Sequence, residues 1–208
     1  KASYDVFRPV TRKYPHAMEA TSLVGLFANV EGNRFLPLLQ SSGSFQTLLM
    51  GINQAIDFNA VMKSIDGDIC LTVPTYGAER MDIAMAAQLR DRNFLGDIEY
   101  WKESVPLGAR ITDWRKDAYC YSDDSMTFCF GVTQEEKPQF YSGTSSVLAE
   151  HSIQRAGHSL PEYVMKNVIG KRLALVLNIP SAVDGEDTVA PAKILGMGNV
   201  RTIVYTVK

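Results

Sequence analysis

Asp123 and Asp124 have the plainest capacity for chemistry in this chain. They stand side by side between two aromatic runs, Ala118-Tyr119-Cys120-Tyr121-Ser122 and Thr127-Phe128-Cys129-Phe130-Gly131-Val132. Two carboxylates at one turn can hold a divalent cation that stabilises charge during phosphoryl transfer. The competing reading is a solvated turn, because Asp is a default turn residue. On that reading, changing both Asp123 and Asp124 to Asn is nearly silent. The three cysteines are Cys70, Cys120 and Cys129. An odd count in a chain of this length is no disulfide framework, so reduced thiols in a reducing compartment are expected. A cross-strand disulfide between Cys120 and Cys129 is the alternative. His16, His151 and His158 lie in no His-Glu-x-x-His frame and beside no cysteine pair with zinc spacing. A dyad of His151 with Cys120 or Cys129 lacks an orienting motif. Ser142-Gly143-Thr144-Ser145-Ser146 can offer backbone N–H groups to an anion, but it lacks the lysine and glycine spacing of a P-loop and reads better as a helix start. Gly196-Met197-Gly198 has no third glycine and is no dinucleotide fingerprint.

Tyr121-Ser122-Asp123-Asp124 resembles the metal-binding motif of template-dependent polymerases. The resemblance covers these four residues alone. A polymerase palm also needs a metal-binding aspartate on a neighbouring strand, and Asp113 and Asp117 lack the usual upstream spacing. Asp123 and Asp124 are therefore weak metal candidates. The expectation is no metal, no other cofactor and no catalytic residues.

Basic residues point to partners. Lys1, Arg8, Arg12 and Lys13 face a single acid, Asp5, within the first fifteen residues, interleaved with Tyr4, Phe7 and Tyr14. Aromatics between cations suit stacking with phosphate contact, or docking on a neighbouring subunit. Tyr4, Phe7, Arg8, Arg12, Lys13 and Tyr14 are the expected partner-binding set. Arg110, Arg115, Lys116, Lys171 and Arg172 are a second basic group, suited to nucleic acid if it joins the arm on one face. The formal net charge of −2 argues against a broadly basic surface.

These residues need a scaffold. The chain has 208 residues, 46% of them hydrophobic and 21% charged. That is ordinary globular composition, enough for one large domain. No apolar run is long enough to cross a bilayer. Lys1 in place of an initiating methionine fits a processed product or a fragment, and no signal peptide is visible. The two aromatic runs alternate about a polar turn and predict a β-hairpin. In it Tyr121 faces Phe128, Cys120 faces Cys129 and Tyr119 faces Phe130, with Tyr121 and Phe128 buried.

Leu23–Leu39 predicts a second hairpin about Gly32-Asn33, with a helix as runner-up. Phe45, Leu48, Leu49, Ile52, Ile56 and Met62 predict a helix over 42–65. A strand at 69–73 follows, then a helix at 78–92 from Met81, Met85 and Leu89. Strands are expected near 98–101 and 109–111. Helices are expected at 145–156 and from 161 to 169, the latter with a Ser159/Glu162 capping box. Leu173, Leu175 and Leu177 mark a central strand at 172–179. Residues 193–197 and 200–207 predict a closing hairpin.

The expected fold is α+β, a mainly antiparallel sheet built from hairpins, with about four helices. Residues 1–15 form an extended arm and 16–208 one domain. The expected function is a non-catalytic structural subunit of a larger assembly, such as a virion, secretion or nucleoprotein complex, partnered by copies of itself or other proteins. It would work in the cytoplasm or inside an assembled particle. A nucleic-acid-binding module is the alternative, and a metal-dependent phosphoryl-transfer enzyme ranks third.

Overall fold

The computed structural model describes residues 4–43, 46, 53, 56–74, 81–178 and 202–207. Strand β1 (Val24–Glu31) runs directly into helix α1 (Gly32–Gln40), and helix α2 (Phe58–Ser64) runs directly into β2 (Ile65–Val73). A Cβ on Gly32 would land on the Met62 carbonyl oxygen, so this junction needs a residue without a side chain. β3 (Ala84–Leu89) completes an antiparallel meander β1-β2-β3. Helix α3 (Ile98–Ser104) leads to a second meander of β4 (Arg110–Arg115), β5 (Ala118–Ser122), β6 (Thr127–Val132) and β7 (Gln139–Gly143). Helices α4 (Ser146–His151) and α5 (Glu162–Val168) lead to β8 (Leu173–Asn178), which pairs with β9 (Thr202–Val207). The nine strands form one sheet in the order β4-β5-β6-β7-β3-β2-β1-β8-β9, every neighbouring pair antiparallel. The fold is α+β, with five α-helices among the described residues.

The period of two sends alternate side chains to opposite faces, and both faces of the sheet are packed. On one face α1, α2 and α3 lie over Ala28, Ile69, Ala87, Phe130 and Phe140. Trp101 of α3 stacks on Phe94, and Phe130 stacks on Phe140. On the other face α5 and the N-terminal segment pack on Phe27, Cys70, Ala86, Ala174 and Val176. Ala149 of α4 sits there too, against Ala118, Cys129 and Tyr141.

The β5–β6 hairpin has the expected register, with Tyr121 opposite Phe128, Cys120 opposite Cys129 and Tyr119 opposite Phe130. Tyr121 and Phe130 are buried, whereas Phe128 is half-buried. Cys120 and Cys129 are joined in a disulfide rather than reduced, and Cys70 is buried as a thiol. Opposed strand positions bring the two sulfurs within bonding range. The pairing speaks against the reducing compartment expected from the cysteine count.

Other expectations need correction. Residues 84–89 are strand β3, not helix, and 98–104 are helix α3, not strand. The expected Gly32-Asn33 turn is the start of α1. The expected helix over 42–65 survives as α2, and β2 begins at Ile65. Phe45, Leu48, Leu49 and Ile52 lie outside the described residues. The 145–156 and 161–169 helices are present in shorter form as α4 and α5. The capping box is not made, because Ser159 donates its hydroxyl to the carbonyl oxygens of His16 and Ala156. β8 lies second from the sheet edge rather than at its centre. The first arm of the closing hairpin, 193–197, lies outside the described residues. Its second arm is β9.

Candidate functional site

The paired aspartates form a turn with unequal members. Asp123 accepts hydrogen bonds from the Tyr121 hydroxyl at 2.7 Å, the Ser125 amide and hydroxyl at 2.8 Å each, and the Met126 amide at 2.9 Å. These donors hold the Asp123 carboxyl far below its ordinary range, the Tyr121 hydroxyl contributing most. Burial and the neighbouring carboxylate push the Tyr121 phenol up to about 12. Asp124 is exposed. A carboxylate already accepting four hydrogen bonds has little left for a cation. Among the described residues no group of three His, Cys, Asp or Glu side chains converges as a metal site would require.

The N-terminal segment is not a free arm where the structure describes it. Tyr4 opens a 3-10 turn, and Phe7 bridges to Val30 and stacks edge-on against Phe35 at 5.6 Å. The Arg8 guanidinium binds Asp66 and the Val30 carbonyl, each at 2.7 Å. Thr11 donates its amide and hydroxyl to buried Asp68 at 2.9 and 2.7 Å. Tyr14 is 1% exposed and donates to Gln139 Oε1 at 2.9 Å. Burial pushes its phenol well above the ordinary value. Arg12 reaches Glu162 at 3.7 Å across an exposed surface, and Lys13 is exposed.

The basic residues are not brought to one place. Lys171 and Arg172 lie beside the N-terminal segment: the Lys171 carbonyl accepts from the Val10 amide, and the Arg172 guanidinium donates to the Phe7 carbonyl. Arg110 and Arg115 sit on β4, at the far edge of the sheet, with Lys116 in the turn that follows. Arg115 pairs with Glu150 and covers the Trp114 ring. The serine-rich segment is a helix start: Ser145 caps the Leu148 amide, and Thr144 donates to Asp82.

One feature of the helix-covered face was not foreseen from the sequence. A cavity of about 130 Å³ lies between the sheet and helices α1 and α2. Leu26 and Ala28 of β1, Ile69 and Leu71 of β2, and Ile83 and Met85 beside or on β3 form much of its floor. Phe35 and Leu39 of α1 and Phe58 and Met62 of α2 form its roof, with Phe128 of β6 and Leu173 of β8 at its sides. Ser142 supplies the one hydroxyl among the lining residues, and it donates to the Met85 carbonyl at 3.0 Å. Among the described lining residues no side-chain donor is left to attract water. Protein interiors rarely leave voids larger than a water molecule. An apolar cavity of roughly 150 Å³ stays dry and accepts small hydrocarbons. The cavity's residues are scattered over eight elements, so no local motif announces it.

No protein-family model matches the chain, and no curated protein matches it. A solved structure described as crystal form IV of TP0453 superposes with a TM-score of 0.46 at 11% identity, over 86% of this chain and 67% of that one. A likeness of that degree carries no argument about function. Among the described residues no helix is long and apolar enough to cross a membrane.

Proposed function

We propose that this chain is a non-catalytic binding domain that holds an apolar guest in the cavity between the sheet and helices α1 and α2. The observation that carries this reading is the lining, whose one hydroxyl among the described residues, on Ser142, is already bonded to the Met85 carbonyl. Filling such a space with hydrocarbon restores dispersion contacts that an empty cavity forfeits. The reading keeps the non-catalytic character expected from the sequence. The assembly-subunit and nucleic-acid readings drew their support from the N-terminal segment, whose Phe7, Arg8 and Tyr14 contact this chain's own sheet and helices. The metal-enzyme reading drew its support from the pair Asp123 and Asp124, of which the Asp123 carboxylate serves the turn.

The test is xenon binding followed by 129Xe NMR, with thermal melting in hexane-saturated buffer alongside. A ligand that binds only the folded state raises the melting midpoint. The expected results are a xenon shift that saturates and a midpoint raised by hexane, both lost in Ala28→Leu. That substitution places methyl groups into open space, so it should leave the fold as stable as before or more so. Unchanged xenon shifts and an unchanged midpoint in the parent protein would overturn the reading.

A further inference from the structure

The strand registers add a direction to the cavity. Ser142 pairs with Met85, Met85 with Leu71, Leu71 with Leu26, Leu26 with Leu175, and Leu175 with Tyr205. These residues form one in-register row across six neighbouring strands, β7 to β9, on the cavity face. At the usual strand spacing the row reaches about 24 Å. Its inner four members line the cavity, Leu175 is half-buried beyond it, and Tyr205 at the outer end is 55% exposed. The row thus leads from the cavity, past half-buried Leu175, to exposed Tyr205 at the sheet edge.

We propose that the guest is a single unbranched acyl chain lying along this row, its methyl end over Met85 and its polar head outside at Tyr205. This rests on the reading of the cavity as a binding site and adds the class of ligand and its orientation. The cavity volume of about 130 Å³ takes about five methylenes, each a little smaller than the roughly 30 Å³ share of a water molecule. A fused ring system needs more volume than this, and among the described lining residues no donor is free to meet a buried polar group. The remaining methylenes lie on Leu26 and Leu175. With carbon–carbon bonds of about 1.5 Å at tetrahedral angles, an extended chain advances about 1.25 Å per carbon. From Met85 to Tyr205 the row spans four strand spacings, about 19 Å, so about 14–18 carbons cover it. The head stays in water, so a free fatty acid and a lysophospholipid share the recognised chemistry.

The test is a calorimetric titration series of saturated fatty acids from hexanoate to eicosanoate, below their micelle concentrations, with palmitoyl-lysophosphatidylcholine and cholesterol as further arms. Affinity is expected to rise roughly two- to fourfold per methylene, as burial of each CH₂ predicts, and to level off between about 14 and 18 carbons. Leu175→Trp, placed on the row beyond the cavity, should weaken palmitate at least tenfold and leave octanoate within twofold. Comparable binding of lysolipid and palmitate supports a site that reads the chain alone. Palmitate binding without lysolipid binding also supports the chain and assigns the source as free fatty acid. Octanoate binding as tight as palmitate, cholesterol binding more tightly than either, or palmitate indifferent to Leu175→Trp would overturn the proposal while leaving an apolar cavity intact. Xenon and hexane binding with no fatty acid bound at any length would do the same. Failure of xenon, hexane and every fatty acid together would remove the cavity reading itself. The length series in the parent protein decides the question even if Leu175→Trp does not fold.

Discussion

Asp123 and Asp124 are adjacent and chemically identical, yet they do different work. Asp123 accepts from the Tyr121 hydroxyl and from Ser125 and Met126, which closes the turn between β5 and β6. Its folded pKa is lowered. The stabilisation is therefore present above the unfolded carboxylate range near 4 and is lost as pH falls through the lower folded value. Tyr121 has the opposite sign. Its phenol is raised to about 12, so its contribution is present below about 10 and is lost as pH rises through 12. Thermal melts should show Asp123→Asn destabilised at pH 7, with the gap to the parent closing as pH is lowered from 4 toward 2. Asp124→Asn should stay within about 0.5 kcal/mol at pH 7, as exposed substitutions do. Equal effects of the two substitutions would contradict the geometry. The turn geometry predicts a cost at Asp123 where residue type alone predicts that both substitutions are silent. Residue type places an aspartate at a turn, but which of two neighbours accepts depends on where the backbone sends the next two amides and whether a tyrosine hydroxyl reaches back.

The hairpin of β5 and β6 was legible because two alternating aromatic runs about a short turn admit few registers. Its redox state was not, because the register that sets Cys120 opposite Cys129 allows a disulfide without requiring one, and the odd count of three cysteines weighs toward free thiols. Alkylation of the unfolded protein without reductant should label Cys70 alone, and the mass should fall two daltons below that of the reduced chain. Three labels would mean that the sulfurs are free. Closing a loop of this length is worth about 2–3 kcal/mol in the chain-entropy account, so Cys120→Ser with Cys129→Ser should cost about that much in urea unfolding. Phe130, fully buried between Trp101 and Phe140, should cost more: about 3–5 kcal/mol on change to Ala. β3 shows why another element was misread. Met85 and Leu89 stand four apart, which is close to one helical turn and also two strand repeats. Between them Ala87 faces the same core, while Ala84 and Ala86 face the other side of the sheet. Small residues there let the strand lie buried between β2 and β7, and only that pairing decides in favour of a strand. At α3 the error ran the other way. Ile98 and Trp101 are three apart, a helical interval that a four-residue window cannot tell from a strand.

At the scale of the whole molecule the N-terminal segment is part of the construction. The sheet has two apolar faces, and the second needs a cover that α4 and α5 alone do not give. Val10, Tyr14 and Met18 supply part of it and are all but fully buried. Gly25 leaves room for Met18, since a Cβ there would collide with the Met18 sulfur. Sequence reading recognised that the segment's aromatics must dock on something. It could not say on what, because the docking surface is assembled from strands and α5, up to 165 positions away along the chain. The same remoteness hid the cavity, whose walls meet only when β1, β2, β3 and β8 are paired. The segment's role can be measured against its surface charges. Tyr14→Ala should cost about 3–5 kcal/mol, as loss of a buried ring does. Tyr14→Phe, which removes only the donor to Gln139, should cost about 1–2 kcal/mol. Arg12→Gln and Lys13→Gln should each stay within about 0.5 kcal/mol, because one sits in an exposed ion pair and the other is exposed. None of the four should alter the mass found by light scattering, since the buried contacts lie within one chain. If Tyr14→Ala left urea unfolding unchanged but lowered the molecular mass in solution, the segment would belong to an interface between copies, and the sheet's second face would need a different cover.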